Sequence, residues 1–225
     1  MELNLISTTY AGKTRQTATV RIPFTDDGGR EEQLLNLYPQ VTYQAIDGFG
    51  GAITESAAYV YSLMSSEQKQ HLLLTYFGRE NMKYRYVRIP IDSCDFSLEH
   101  YEADGDENDA GLKSFSFARM EQYILPMLTD AERIYGGKLE IMLSPWSPPA
   151  YMKTNGERDH GGKLKRCYWK RWAEYLCRYI DEFRKRGFRV TMLTLQNEPK
   201  AVQTWDSCIY TAQEEKEFLR DFVWP

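Results

Sequence analysis

Apolar residues change their spacing in a regular way along this chain from residue 44 to the end. Short apolar runs alternate with longer stretches in which apolar residues recur every three or four positions. These two patterns are typical of buried strands and of amphipathic helices, respectively. The predicted strands cover residues 44–50, 84–91, 139–143 and 190–196. Because a helix is predicted after each strand, the sequence predicts a parallel sheet with crossover helices, built from four βα units.

The starts of three helices carry capping signals. Thr54 can cap the first helix, Ser65 with Gln68 predicts a capping box for the second, and Thr211 with Glu214 does so for the last. Two further helices are predicted from apolar residues that recur every three or four positions: Phe117, Met120, Ile124, Met127 and Ala131 in one, and Trp169, Trp172, Leu176, Ile180 and Phe183 in the other.

The first 43 residues follow a different pattern. Residues 14–22 form a Thr-rich run of alternating polar and apolar positions, and an Asp-Asp-Gly-Gly turn signal follows at 26–29. This combination predicts β-hairpin structure. The expected organisation is therefore an N-terminal β segment, residues 1–43, followed by an α/β domain, residues 44–225.

The composition restricts the classes of partner and location. Lys and Arg number 28 against 32 Asp and Glu, and this weakly acidic balance argues against nucleic acid or an anionic membrane as the main partner. The N-terminus lacks a basic start followed by an apolar segment, and no apolar run is long enough to cross a bilayer. A cytoplasmic location is the resulting expectation. The aromatic content, 14%, is compatible with sugar binding but equally with an ordinary core.

The cysteines and histidines predict neither a redox motif nor a metal site. Cys94, Cys167, Cys177 and Cys208 form no CxxC pair, so we expect reduced, buried thiols, with Cys177 on the inner face of its helix. The three histidines lack ligand spacing. A partial calcium-loop pattern at residues 104–108 lacks the required glycine and bidentate acid, which favours a solvated acidic loop.

Polar and aromatic residues follow three of the predicted strands. Asp95 follows strand 84–91, Trp146 follows strand 139–143, and Asn197 with Glu198 follows strand 190–196. The ends of parallel strands meet at one edge of the sheet, so these side chains are expected to converge on one pocket. A carboxylic acid beside an amide suits sugar chemistry, because the acid can protonate a glycosidic oxygen while the amide binds a ring hydroxyl.

Each of these residues also has a structural alternative. Glu198 could be a solvated strand-end side chain, and Trp146 could fill the core of a loop. Asp95 could cap a turn, and Arg88, within strand 84–91, could form a structural ion pair. The residue types alone leave these alternatives open.

Four ordered motifs resemble the glucosylceramidase family, glycoside hydrolase family 30. They are residues 47–55 (DGFGGAITE), 88–97 (RIPIDSCDFS), 144–156 (SPWSPPAYMKTNG) and 196–199 (QNEP). The resemblance implies a (β/α)8 TIM barrel with a β-sandwich at its side, and hydrolysis of β-glycosides with retention of configuration. Only about the first four βα units are present here. No metal or organic cofactor is implied.

The resemblance also implies roles for five residues. Glu198 resembles the acid/base of the family, and Asn197 resembles its partner to the sugar 2-hydroxyl. Asp95 and Trp146 resemble the residues that hold the non-reducing sugar. Arg88 resembles an arginine that supports the active-site carboxylates.

The chain departs from the family in one important respect. The family's nucleophile is a second Glu at the end of the seventh barrel strand, and this chain stops after the fourth unit. Glu214, Glu215 and Glu217 are expected on the last helix, where they cannot replace it. The chain alone is therefore expected to be inactive, and a second chain or a downstream half is its expected partner. The alternatives are a sister activity, such as a β-1,6-glucanase, β-xylosidase or xylanase, and a non-catalytic carbohydrate-binding fragment.

Overall fold

Four parallel strands, adjacent in chain order, form the main sheet. The computed structural model describes residues 2–24, 28–29 and 36–225. Each strand of the sheet pairs in parallel with the next one along the chain. The strands are β3 (Gly50–Ala52), β4 (Tyr86–Ile91), β5 (Glu140–Pro145) and β6 (Val190–Leu193). This is the arrangement of the first four units of a TIM barrel, open at β3 and β6, and it confirms the predicted fold class.

Helices connect the strands and follow the last one. Two helices lie between β3 and β4, two between β4 and β5, one between β5 and β6, and one after β6. They are α1 (Glu55–Leu63), α2 (Ser66–Phe77), α3 (Ala118–Gln122), α4 (Ile124–Tyr135), α5 (Trp169–Lys185) and α6 (Ala212–Phe218). A π-helical turn, Leu219–Val223, continues α6, and short 3-10 turns lie at Ala150–Met152 and Arg166–Tyr168.

The predicted helix caps are confirmed. The Thr54 hydroxyl accepts a hydrogen bond from the backbone of Ala57 at the start of α1. Both predicted capping boxes are complete, Ser65 with Gln68 at α2 and Thr211 with Glu214 at α6. Each box satisfies two backbone donors that a helix start leaves unpaired, so the local sequence fixes where these helices begin.

The single helix predicted from Phe117 to Ala131 is wrong. The structure divides it into α3 and α4 at Tyr123, whose φ is −131°. Pro126 explains the break, since a proline has no N–H to donate to the carbonyl of Gln122, and its ring would clash with that carbonyl in a continuous helix. The proline lies instead in the first turn of α4, where it is tolerated.

All four predicted strands differ from the observed bounds, and the first and the last differ by three residues or more. The first strand lies at Gly50–Ala52 rather than at 44–50, and the last ends at Leu193 rather than at 196. Gly50 lies so close to β4 that a Cβ atom there would meet the carbonyl oxygen of Tyr86 at 2.1 Å. Only a glycine permits this approach, which explains where pairing begins.

The core lies between the sheet and the helices, and α5 dominates it. Trp172, Tyr175, Tyr179 and Phe183 are fully buried along one face of α5. The expectation that Cys177 lies on the inner face of this helix is wrong, because the side chain is exposed. Cys94 and Cys208 are buried and Cys167 is exposed, and all four thiols are free.

The N-terminal segment contains the predicted hairpin. β1 (Glu2–Ala11) pairs antiparallel with β2 (Thr14–Pro23), and Gly12, with φ +62°, occupies the tight turn between them. The turn predicted at 26–29 lies largely outside the described residues. By its contacts the chain divides into residues 1–45 and 46–225, and the boundary after residue 43 stays a prediction. Among the described residues, every helix is too short or too polar to cross a membrane.

Candidate active site

The four strands place the predicted site residues at one end of the sheet. Asp95 follows β4, Trp146 comes directly after β5, and Asn197 with Glu198 follows β6. Because these strands run parallel in one sheet, the three segments emerge at its carboxyl edge. In barrels of this kind the carboxyl edge is where loops from different strands build one site.

Arg88, on β4, joins these segments. Its Nη2 atom donates hydrogen bonds to Asn197 Oδ1 at 2.7 Å and to Ser144 Oγ at 2.8 Å. Its guanidinium carbon lies 4.4 Å from the centroid of the Trp146 ring, in cation–π contact. One side chain thus fixes an amide from the end of β6, a hydroxyl of β5 and an indole after β5.

The alternative of Arg88 as a simple structural ion pair does not hold. Within the described residues, no carboxylate oxygen lies within ion-pair distance of its guanidinium. Burial lowers the pKa of Arg88, while the neighbouring Cys94, Asp95 and Glu198 oppose this shift. The guanidinium is therefore a fixed positive charge close to two candidate carboxylates without being bound by either.

Trp146 and Asn197 are held through their backbones as well. Gln196 Nε2 donates to the carbonyl of Trp146 at 2.6 Å, and the backbone N–H of Asn197 donates to the carbonyl of Pro145 at 2.8 Å. Trp146 is only 7% exposed, yet it lies apart from the main hydrophobic cluster. Its burial is thus a property of the site, and only part of its ring is open to a ligand.

Glu198 has an unusual backbone conformation. Its φ of +46° lies in the left-handed region, which is uncommon for residues other than glycine. Its carbonyl accepts a hydrogen bond from the backbone of Ala201, and the carbonyl of Pro199 accepts one from Tyr210. The side chain is exposed and lines a pocket of about 460 Å³ together with residues 199–201 and 203. Strained backbone of this kind is concentrated at functional sites.

Asp95 is exposed and is not the cap of its turn. Ser97 Oγ accepts the backbone N–H of Cys94 at 3.0 Å, and Cys94 Sγ accepts that of Phe96 at 3.3 Å. These two side chains perform the capping, and the Asp95 carboxylate makes no hydrogen bond to the part of the chain that the structure describes. Both of its oxygens are therefore open to hydroxyl donors.

Asp92, directly after β4, differs from Asp95 in its burial and in its hydrogen bonds. It is completely buried, and its carboxylate accepts hydrogen bonds from the Tyr179 hydroxyl at 2.5 Å, the Tyr175 hydroxyl at 2.7 Å and the backbone of Ala103 at 3.0 Å. Burial raises the pKa of Asp92 to about 6, against the lowering effects of Arg158 and of these donors. Asp92 cannot reach a substrate and acts within the interior.

Several site residues were not predicted from the sequence. Ser144 and Thr194 share a hydrogen bond of 2.6 Å between their hydroxyls, and Ser144 and Gln196 support Arg88 and Trp146 as described above. Gln196 and Ser144 lie inside the motifs, so position within the motif was the only available signal. Thr194 lies in the predicted strand without any chemical signal of its own.

Two clusters of acidic residues carry no metal assignment. In the loop at 104–109, Asp104 and Asp106 accept backbone N–H groups of their own loop, and Arg171 donates to the backbone carbonyls of residues 106, 107 and 109. Glu157, Asp159 and His160 each offer one possible ligand atom, and these atoms lie within 4.8 Å of one another. The spacing of the histidines in the sequence did not predict this approach. Exposed acidic groups commonly approach in this way without an ion.

Residues 46–224 match the model of the TIM-barrel domain of glycosyl hydrolase family 30. The chain belongs to glycosyl hydrolase family 30. The predicted family is thus confirmed.

Known members of this family are similar over most of the chain. Lysosomal acid glucosylceramidase of Mus musculus is 32% identical over 173 residues, which are 75% of this chain and 34% of that protein. The crystal structure of SrfJ from Salmonella typhimurium matches 99% of this chain and 50% of that chain, with a TM-score of 0.87 and 36% identity. The endo-beta1,6-glucanase BT3312 matches with a TM-score of 0.75 and 28% identity over 83% of this chain and 42% of that one. This chain therefore spans a third to a half of the length of these relatives.

Proposed function

We propose that this chain supplies the acid/base half of a retaining β-glycoside hydrolase of the glucosylceramidase type. The observation that carries the proposal is the contact of Arg88 with Asn197 beside Glu198 and above Trp146. It fixes an amide next to an exposed carboxylic acid at the carboxyl edge of the sheet. The similarity to a glucosylceramidase over 75% of the chain supports the substrate class, a β-glucoside.

The Arg88 contact determines what Asn197 can do. A guanidinium only donates hydrogen bonds, so the atom of Asn197 that it binds must be the amide oxygen. The two N–H bonds of the Asn197 amide then remain for a ligand. In the proposed reaction the amide donates one of them to the sugar 2-hydroxyl, an interaction that strengthens in the transition state.

Glu198 is the proposed acid/base. In the first step its carboxylic acid protonates the glycosidic oxygen as the bond to the anomeric carbon breaks. In the second step its carboxylate accepts a proton from the water that attacks the glycosyl-enzyme. Asp95 is proposed to accept hydroxyl donors of the same sugar, and the exposed edge of Trp146 to pack against its ring.

A retaining reaction needs a second carboxylate about 5–5.5 Å from the first, to attack the anomeric carbon. Asp92 is unsuitable because it is fully buried. Glu214 and Glu217 lie on α6, where they pair with Lys163 at 2.8 Å and Arg166 at 3.4 Å. The proposal therefore assigns the nucleophile to the remaining units of the barrel.

The open side of the structure supports this assignment. The outer edges of β3 and β6 are unpaired within the described sheet. Beside β3, helices α1 and α2 form an apolar groove of about 600 Å³ whose lining includes Val60, Met64, Leu72 and Tyr76. A strand edge next to an apolar groove fits one further strand and helix, and barrel closure removes both sheet edges. We propose that the remaining βα units, on the same polypeptide or on a second one, cover the apolar groove and pair with the free strand edges.

The test restores the missing half. The chain is coexpressed with the second half of SrfJ, because the structure of SrfJ matches 99% of this chain. The purified complex is then assayed with an aryl β-glucoside, glucosylceramide, β-1,6-glucan and xylan. Hydrolysis of the glucosides supports the proposal. Hydrolysis of β-1,6-glucan or xylan alone would favour a sister activity instead.

Controls separate the remaining outcomes. The Glu198→Gln variant keeps the shape of the side chain and should form the same complex without hydrolysis. Glycan binding by the wild-type complex without hydrolysis of any substrate would favour the non-catalytic alternative. A complex that forms but neither binds nor hydrolyses a glycan would contradict the proposed function.

A further inference from the structure

A buried guanidinium lies where three loops of the carboxyl edge meet. The first rim loop, residues 92–104, follows β4; the second, residues 146–165, follows β5; the third, residues 197–211, follows β6. Arg158 of the second rim loop donates from Nε to Asp206 of the third at 2.6 Å, and from Nη1 to Glu102 of the first at 3.2 Å. Its Nη1 also lies 3.7 Å from the carboxylate of Asp92.

Asp206 extends the contact between the loops. The same oxygen that binds Arg158 accepts the Ser93 hydroxyl at 3.0 Å, and its second oxygen lies 3.1 Å from Nδ1 of His100. The side chains of Arg158, Asp92 and Asp206 are 7%, 0% and 1% exposed. Each rim loop therefore contributes at least one charged group to a single buried cluster, which we call the rim cluster: Asp92, Glu102, Arg158 and Asp206.

The backbone reinforces the contact between the second and third rim loops. Lys153 is fully buried, and its Nζ donates to the carbonyls of Arg158 at 2.8 Å and of Ser207 at 2.7 Å. The backbone N–H of Ser207 donates to the Arg158 carbonyl at 3.0 Å. Asp206 and Ser207 thus fix the second half of the loop that begins with Asn197 and Glu198.

The cluster is an arrangement that stability alone does not require. Buried ion pairs are often no more stabilising than apolar side chains of the same volume, whereas removal of one partner leaves an uncompensated charge. Burial alone would lower the pKa of Arg158, but Asp92, Asp206 and Glu102 together raise it, so the guanidinium stays charged. A permanent charge with two hydrogen-bonded carboxylates, Asp206 and Glu102, defines positions, which apolar packing does less sharply.

We propose that Arg158 is a positioning residue that sets the relative placement of the three rim loops. Each of these loops carries at least one proposed substrate contact: Asp95 lies on the first, Trp146 on the second, and both Asn197 and Glu198 on the third. The catalytic part of this inference rests on the proposed function. The structural part, that one guanidinium controls the placement of all three loops, does not.

The structural part is tested on the 225-residue chain by ¹⁹F NMR with 5-fluorotryptophan. Trp146 and Trp205 lie on the second and third rim loops, whereas Trp172 lies on α5 and serves as the internal reference. Resonances are assigned with single Trp→Phe variants. Trp146 makes its ring contact with Arg88, and among the described residues no hydrogen bond joins it to Arg158, so a purely local change at Arg158 is not transmitted to it by such a bond.

Two variants and one control are compared. Asp206→Asn keeps the size of the side chain and removes its charge; Arg158→Met removes the guanidinium. Arg133→Met is the control, because Arg133 is exposed and pairs only with Asp130 on its own helix. We expect both test variants to shift or broaden the Trp146 and Trp205 resonances while Trp172 keeps its position, and the control to leave every resonance unchanged. Arg158→Lys should restore part of the wild-type spectrum.

Other results would overturn the inference. A change confined to Trp205 would restrict Arg158 to its own local contact. If Arg158→Met fails to fold, Asp206→Asn decides, and collapse of all the resonances in that variant would assign the cluster to general stability. In the complex with the SrfJ half, Asp206→Asn should lower kcat on the order of 10²-fold with little change in KM, as a misplaced acid does. An inactive wild-type complex would contradict the proposed function but leave the NMR result decisive for the loops.

Discussion

The carboxyl edge of the sheet is held together by side-chain contacts between its loops, whereas the open side keeps strand edges that are unpaired within the described sheet. At the carboxyl edge, Arg88 is bound by partners from β5 and the end of β6, and Arg158 by partners from the first and third rim loops. On the open side, Val60 and Tyr76 are 52% and 39% exposed although both line an apolar groove. The difference teaches that the carboxyl edge of a sheet can be preformed while the barrel is not closed.

The largest effect is expected at Glu198, and it tests whether the preformed carboxyl edge holds a functional acid. In the completed barrel, Glu198→Ala should lower kcat/KM on the order of 10²–10⁴-fold for substrates with poor leaving groups, because these need a proton from the acid. Activated aryl glucosides should lose less in the first step, and azide should restore part of the activity. Glu67→Ala, at an exposed position of α2, is the control. Equal losses on all substrates without azide rescue would indicate a structural role for Glu198.

On the open side, Gly50→Ala should disrupt β3. Its Cβ would meet the backbone carbonyl of Tyr86 at 2.1 Å, so the edge strand must move. We expect a loss of about 3 kcal/mol or more in the free energy of unfolding, measured by denaturant titration. Gly137→Ala is the matched control, since the nearest atoms to its Cβ would be at ordinary contact distance, 3.7 Å. Equal stability of the two variants would show that β3 does not depend on this approach to β4.

The carboxyl edge should respond to pH through Asp92. The pKa of its carboxyl in the folded state, about 6, lies above the ordinary value of 3.8, so between these values the folded state binds more protons than the unfolded state. Its contribution to stability is therefore fully present below about pH 4 and is lost as pH rises to about 6, by about 3 kcal/mol at most. The measurement is the difference in unfolding free energy between the wild type and Asp92→Asn across this range. A difference that grows towards neutral pH would mean that the paired, ionised form is the favoured one.

The smallest effect concerns the apolar groove, and it tests whether the exposed surface on the open side causes self-association. The isolated chain is expected to self-associate and to lack glycosidase turnover, because unpaired strand edges and an exposed groove promote association. Val60→Lys should weaken that association by about 2 kcal/mol, roughly 30-fold, as seen by analytical ultracentrifugation. Ser62→Lys adds the same charge to α1 outside the groove lining and should change little. A monomeric wild-type chain with measurable turnover would refute the open-side interpretation.

The sequence predicted those parts of the structure that depend on local patterns. The helix caps at Thr54, Ser65 and Thr211 are confirmed because a cap, like the two capping boxes, depends only on residues within four positions. The placement of Asp95, Trp146 and Glu198 after three parallel strands, at one edge of the sheet, followed from the strand order. Their convergence on one pocket stays a prediction. The break at Tyr123 could have been predicted too, since Pro126 was present in the sequence as a direct signal.

The rim cluster could not have been predicted in the same way. Arg158 and Asp206 meet across 48 positions of sequence, in loops whose paths no periodic pattern determines. Each is an ordinary charged residue in a polar segment, and only burial shows that the pair is unusual. The exposure of Cys177 likewise depends on which side of α5 meets the sheet, and a difference of one position around the helix was enough to make the prediction wrong.

The strand order has a consequence for synthesis on the ribosome. Every strand of the sheet pairs with its neighbour in sequence, so each βα unit can dock on the previous one as soon as it emerges. Domains commonly fold from the N-terminus during translation, and local pairing favours rapid folding. Once α6 has left the exit tunnel, all four charges of the rim cluster are available. The carboxyl edge of these four units can then be assembled during translation, and any later unit would meet a surface that has already folded.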